Sequence, residues 1–242
     1  MTAAMVAVGS SEDLELPIDI DHFRRLPFLA PLSEEDLNRL ASHARRERVP
    51  ARTTICRRGE PADALFIVES GHVLLFVSRP GDPAGIVRVV GPHETFGECS
   101  LLPDVGSPVT AETFDPAELI LIPIAPLRAL VEGRFDVMLA MLAHVSVRVR
   151  RLLRQVSSLK TRTTTQRLAA HLVGLTTARE GAVEVSLRYG KTLLARELGM
   201  QPETFSRAMM KLQPVGVRYR RSREAFFVED IALLRNFCEE EG

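Results

Sequence analysis

The chain has 242 residues, 45% hydrophobic and 26% charged, a composition that fits one large or two ordinary folded domains and excludes a disordered chain. Basic and acidic residues balance at 31 each, yet positions 146–223 hold 17 Lys/Arg against 4 Asp/Glu, so a local charge of +13 faces an acidic remainder. That asymmetry points to a polyanionic partner for the C-terminal half, while the lack of a secretory signal or long uncharged apolar run predicts a cytoplasmic chain with no membrane partner.

Residues 1–19 are small, polar or acidic, without periodicity, and read as a flexible tail. His22 to Ala44 reads as short helices, with Ser33 as an N-cap and Glu34, Glu35 and Asp36 in the first turn, where the helix dipole favours acids. From Arg48 to Ile124 the pattern changes to short strands: Thr53–Cys56, Ala64–Glu69, His72–Ser78, Ile86–Val90, Val109–Thr113 and Leu119–Pro123. Turn signals separate them at Arg58–Pro61, Ser70-Gly71, Pro80–Pro83 and Gly91-Pro92. Many short strands at this spacing imply a β-roll, jelly roll or barrel.

Phe135 to Leu159 contains neither Gly nor Pro. Phe135, Met138, Leu142, Val145, Val149, Leu152, Val156 and Leu159 recur in alternating steps of three and four, which is the seam of a two-stranded helical dimer. Leu139, Met141 and Leu153 widen the stripe, so part of this helix is also expected to touch the β-domain.

Gln166–Leu175 reads as a further helix and Val183–Val185 as a short strand. Two helices, Lys191–Leu198 and Pro202–Leu212, are joined at Gly199-Met200-Gln201. Ala195 is small where two helices cross, Gly199 supplies a left-handed residue to end the first helix, and Pro202 suits the first turn of the second. This is the grammar of a helix-turn-helix. Phe205, Met209 and Leu212 give the second helix an inward face, leaving Glu203, Ser206, Arg207 and Met210 outward. An arginine there pairs with guanine O6 and N7, a glutamate accepts from cytosine N4, and a serine contacts base or phosphate. Glu203 and Arg207 are also spaced for a surface ion pair. The hairpin expected from Arg218–Arg220 and Ala225–Val228 makes a wing. Lys191, Lys211, Arg218 and Arg220 are the expected phosphate contacts, and Gln201 and Thr204 flank the reading face.

Leu26–Leu40, Arg58–Asp63, Ser70–Val73, Phe96-Gly97-Glu98 and the Glu203, Ser206, Arg207 triplet resemble the CRP/FNR superfamily of bacterial regulators. The likeness spans residues 20–240, and the triplet looks most like the FNR-like DNR/NnrR regulators of denitrification and nitrogen-oxide response. The resemblance implies an α+β chain: a cyclic-nucleotide-binding-like β-roll sensor over 20–133, a dimerisation helix over 134–160 and a winged helix-turn-helix over 161–242. It also implies a homodimeric, non-enzymatic transcription regulator. Such a protein reads a TTGAT-like palindrome in double-stranded DNA, works with RNA polymerase and answers a nitrogen-oxide, redox or other small-molecule signal.

The resemblance places an effector pocket at Phe96, Gly97, Glu98, Cys99 and Ser107. Val105-Gly106-Ser107-Pro108 lacks the arginine that holds a cyclic phosphate in the cyclic-AMP receptors, which argues against cyclic AMP because a buried phosphate needs a cation. Cys56, Cys99 and Cys238 have no metal-ligand spacing, and residues 1–50 contain no cysteine, so an iron–sulfur cluster is not expected. Haem remains a candidate, with His22, His72, His93 and His144 as possible ligands. Two alternatives stand beside this reading: a cyclic-nucleotide-responsive regulator, and a cupin-like β-roll enzyme with a DNA-binding tail. The enzyme would require clustered metal ligands, whereas His72 and His93 stand apart.

Overall fold

The computed structural model describes residues 12–14, 18–78, 85–102, 105–187 and 189–239, with backbone alone at 12–14, 151, 155, 159 and 239. The expected Pro80–Pro83 turn, Arg188 and most of the expected tail lie outside these residues. The chain divides into two units, Met1–Arg148 and Val149–Gly242.

The first unit opens with β1 (Glu12–Leu14), inside the segment read as a tail, then α1 (Asp21–Arg24) and α2 (Glu34–His43). Ser33 caps α2, its hydroxyl accepting from the Asp36 amide at 3.1 Å, as expected. Eight strands follow: β2 (Arg45–Val49), β3 (Thr54–Cys56), β4 (Ala64–Ser70), β5 (Val73–Val77), β6 (Gly85–Val90), β7 (Thr95–Phe96), β8 (Thr110–Thr113) and β9 (Ala117–Pro123). They form two antiparallel sheets, in the orders β1-β2-β9-β4-β7 and β3-β8-β5-β6.

The side-chain period of a strand explains the layering. On β4, Phe66 and Val68 join Val73 and Leu75 of β5 in a core between the sheets, while Leu65 and Ile67 face Phe23, Leu29, Leu37 and Leu40 from the helical segment. A sheet covered on both faces is why β4 reads as an unbroken apolar run. β2 was not expected to be a strand, because four of its five residues are charged. Its pairing is held by charge instead. Arg48 Nη2 meets Glu118 Oε1 of β9 at 2.7 Å, and Arg46 Nη2 reaches Glu69 Oε1 at 2.9 Å. Glu69 stands at an irregularity between Val68 and Ser70, where a bulge re-aims a side chain.

After α3 (Ile124–Val131) comes α4 (Phe135–Thr161), a single 27-residue helix. Val137 is fully buried against the helical core and Met141 packs beside it, so this face meets the β-roll, whereas Leu139 and Leu153, also expected to widen the stripe, are 55% and 63% exposed. The seam residues lie elsewhere on the helix. Met138, Leu142, Val145, Val149, Leu152 and Val156 are each 47–62% exposed, and Phe135 is 73% exposed. Leu159 continues the helix, its side chain lying outside those described.

The second unit contains α5 (Thr164–Gly174), β10 (Val183–Ser186), α6 (Lys191–Glu197), α7 (Pro202–Leu212), β11 (Val217–Arg220), β12 (Ala225–Val228) and α8 (Ile231–Glu239). Thr163 and Gln166 form a reciprocal capping box at the start of α5. The strands pair antiparallel in the order β10-β12-β11. Leu168, Leu172, Leu194, Phe205, Leu212, Phe226, Ile231 and Leu234 make one core from all these helices and strands.

Candidate functional site

α6 and α7 are joined as the sequence grammar requires. Gly199 adopts φ +63°, a left-handed geometry that suits glycine. The chain then turns back so that the Met200 amide donates to Ala195 O at 2.8 Å, with Ala195 and Met200 both buried. Arg167 of α5 donates to Leu198 O at 3.0 Å, satisfying a carbonyl at the end of α6 that no helical partner reaches.

Pro202 begins α7, whose buried face is Phe205, Ala208 and Leu212. Ala208, not Met209, is the central buried residue; Met209 packs only partly against the core. Steps of three and four both serve a 3.6-residue period, and the small alanine allows close approach. Gln201, Glu203, Ser206, Arg207 and Lys211 are exposed, Thr204 is half-buried, and Met210 is 59% exposed. Among the described residues no ion pair joins Glu203 to Arg207, so the alternative spaced into the sequence is not formed. α7 therefore presents a carboxylate acceptor, a guanidinium donor and a hydroxyl, uncommitted, on one face of a helix whose other face is fixed.

The cations around it are less alike. Lys191 Nζ sits 5.8 Å from the centroid of the Tyr219 ring. Arg218 Nη2 lies 3.0 Å from Glu229 Oε1, and Arg220 Nη1 lies 2.8 Å from Glu184 Oε2. Sequence reasoning did not anticipate these acids, because Glu184 comes from β10, across β12 from β11, and Glu229 from just past the end of β12.

The expected effector residues differ in their surroundings. Phe96 is buried between the sheets, stacked on Phe66 with centroids 4.7 Å apart. Ser107 belongs to the β3–β8 junction: its hydroxyl donates to Val109 O at 2.7 Å, and its backbone pairs with Gly59 and Glu60. Cys99 is exposed. Gly97 has φ +90°, and a Cβ there would come within 2.8 Å of Ala64 O, so glycine is needed to aim Glu98.

Glu98 is the residue that the fold puts to use. Its carboxylate accepts from Thr95 Oγ1 at 2.7 Å and pairs with Arg148 of α4. His144, one turn earlier on α4, packs at 5.4 Å against the Phe28 ring. Burial, and then the Arg148 and Arg88 charges, push its pKa below the usual histidine value, while Glu98 pulls it up. Arg88 is held by Glu94 at 3.3 Å and donates to Thr95 O at 3.1 Å. The local segment 105–108 lacks a cation, as the sequence showed; the cations near His144 are Arg88 and Arg148, from distant positions. Both face carboxylates.

The remaining histidines are placed differently. His22 Nε2 lies 3.1 Å from Glu69, His72 Nδ1 lies 2.8 Å from Asp115, and His93 is exposed with φ +64°. Among the described residues no three His, Cys, Asp or Glu side chains lie together as a metal site. No helix there is long and apolar enough to cross a membrane.

A sensor-type β-roll, a long helix with an exposed apolar seam and a winged helix-turn-helix define a two-unit regulator architecture. A cyclic nucleotide-binding domain model matches residues 46–134, and a Crp-like helix-turn-helix domain model matches residues 166–237. The chain belongs to the CRP/FNR superfamily. A solved protein from Ruegeria pomeroyi DSS-3, described provisionally as cyclic nucleotide binding, is 33% identical, with 91% of this chain and 97% of that one covered and a TM-score of 0.59. The CRP-like protein Clp of Xanthomonas oryzae pv. oryzae is 28% identical over 206 residues, 81% of this chain and 89% of Clp. An uncharacterised NTE family protein of Mycobacterium bovis is 36% identical over 101 residues, 38% of this chain but only 17% of the length of that protein.

Proposed function

We propose that the chain is a homodimeric, DNA-binding transcription regulator in which α4 of two copies pairs along the exposed seam and each α7 enters a major groove. The observation that carries this is the outward face of α7: Glu203, Ser206 and Arg207 exposed and uncommitted, while Phe205, Ala208 and Leu212 lock the opposite face. From the Glu203, Ser206, Arg207 pattern the expected target is a TTGAT-like palindrome with half-sites about one helical turn apart, used together with RNA polymerase. Fluorescence anisotropy on that palindrome and a scrambled duplex tests the reading. Wild-type protein should discriminate between them and Arg207→Ala should not; discrimination retained by Arg207→Ala refutes the assignment.

The signal enters, in this reading, where Glu98 meets Arg148, because that contact joins the sensor to the helix that makes the dimer. A nitrogen oxide or other small molecule acting there would exchange one arginine partner for another. Were haem the sensor, His144 fits best: burial and nearby arginines favour the neutral ring a metal needs, whereas His22 and His72 face carboxylates. A Soret band that forms on haem addition and is lost in His144→Ala would support haem. No band at all would leave a ligand without a metal as the signal.

A further inference from the structure

Four arginines crowd the hairpin of the second unit: Arg218 and Arg220 on β11, then Arg221 and Arg223 in the short 3-10 turn that follows. Composition treats them as equal phosphate contacts. Geometry does not. Glu184 of β10 accepts from Arg220 Nη1 at 2.8 Å and from Arg223 Nη1 at 3.2 Å. Arg220 is further held over the Phe227 ring, 4.4 Å from its centroid. Glu184 pairs in register with Phe227 across the sheet, so a single carboxylate on the β10 edge governs two guanidiniums. Arg218 and Glu229 are 70% and 50% exposed, a pair that opens readily in water. The Arg221 guanidinium is exposed, with no ion pair or hydrogen bond among the described residues.

We propose that Glu184 is a brake on DNA affinity: it withholds one of the two guanidiniums, Arg220 or Arg223, from the phosphates and leaves Arg221 as the committed phosphate contact of the wing. The inference rests on the DNA-binding reading above and sharpens it. One carboxylate offsets only one of the two guanidinium charges, so the Arg220–Glu184–Arg223 cluster carries +1 and displaces one counterion fewer than two free arginines would. Moving both Arg220 and Arg223 to DNA would strand the Glu184 carboxylate beside a polyanion, so one of the two stays with it.

The test is the slope of log K against log salt for the full-length protein on the scrambled duplex, measured by anisotropy between about 50 and 200 mM KCl. Each phosphate neutralised contributes about 0.9 to that slope. Glu184→Gln frees the one withheld arginine and should steepen the slope by about 0.9, so that about three- to fourfold more affinity is lost across the range than in wild type. Arg221→Ala should flatten it by about 0.9; Arg220→Ala leaves Arg223 fully offset and should flatten it equally, and adding Glu184→Gln to Arg220→Ala should restore the wild-type slope. A merely structural role for Glu184 would weaken binding without steepening the slope. If Glu184→Gln fails to fold, Arg220→Ala with Arg223→Ala still decides: with one arginine already withheld, the pair should flatten the slope no further than Arg220→Ala alone. A further flattening of about 0.9 in that pair, or an unchanged slope in folded Glu184→Gln, overturns the brake while DNA binding stands. A wild-type protein that binds no duplex at low salt overturns the DNA-binding reading and the brake with it.

Discussion

Leu152→Ala separates the heptad seam from general apolar exposure. Leu152 is 49% exposed in the single chain, so a partner helix can still cover about half of its side chain. Full burial of a leucine contributes about 1.5–3 kcal/mol, so the half left to cover is worth about 1 kcal/mol per copy, or about 2 kcal/mol per dimer. That weakens the dimer about 30-fold. Val145→Asp with Leu152→Asp, which buries charge without a partner, should leave only monomers at micromolar concentration. The control is Val147→Asp. Val147 is 63% exposed, more than Leu152, but falls off the seam on the same helix. Sedimentation velocity across a concentration series reads all three. An unchanged dimer in the seam variants, or a Val147→Asp variant as monomeric as the double mutant, refutes the heptad argument.

Gly97→Ala forces a left-handed alanine against Ala64 O and should cost about 1–3 kcal/mol, read as a lower thermal midpoint. His144 has a lowered pKa when folded, so the unfolded chain takes up its proton first as the medium acidifies. Stability is therefore full above about pH 6.5 and declines below it; in urea melts at a series of pH values His144→Gln should flatten that decline, and an identical acid limb would count against it. Native protein should release one fast thiol equivalent to a disulfide reagent, from exposed Cys99. Cys56 should react slowly, because burial pushes its pKa up and keeps the thiol protonated. Two fast equivalents would contradict its placement.

Local chemistry made the second unit readable. Gly199, Pro202 and the spacing of Phe205 and Leu212 act within a few residues of one another, so sequence order alone carries them. α4 was readable because its period persists for 27 residues. β2 was hidden because rules based on apolar alternation do not recognise a strand paired by arginine and glutamate. Glu98 was marked by its neighbours Phe96 and Gly97, but its partner Arg148 lies 50 residues on, and nothing in local sequence couples the two. The same limit concealed Glu184 behind the hairpin arginines: only strand register brings them together.

The charges on β2 fix how the first sheet finds its register. Glu47 and Val49 point into the roll, while Arg46 and Arg48 hold Glu69 and Glu118 on the other side. A slip of one residue would drive two arginines into the core, orphan Glu118 and leave Glu69 with His22 alone, so the ladder behaves as a keyed lock with a single seating. β2 lies between β1 and β9, so both of its backbone ladders are filled within the chain and the lock is engaged from two sides. Charge thereby sets a register that apolar alternation sets elsewhere in the roll.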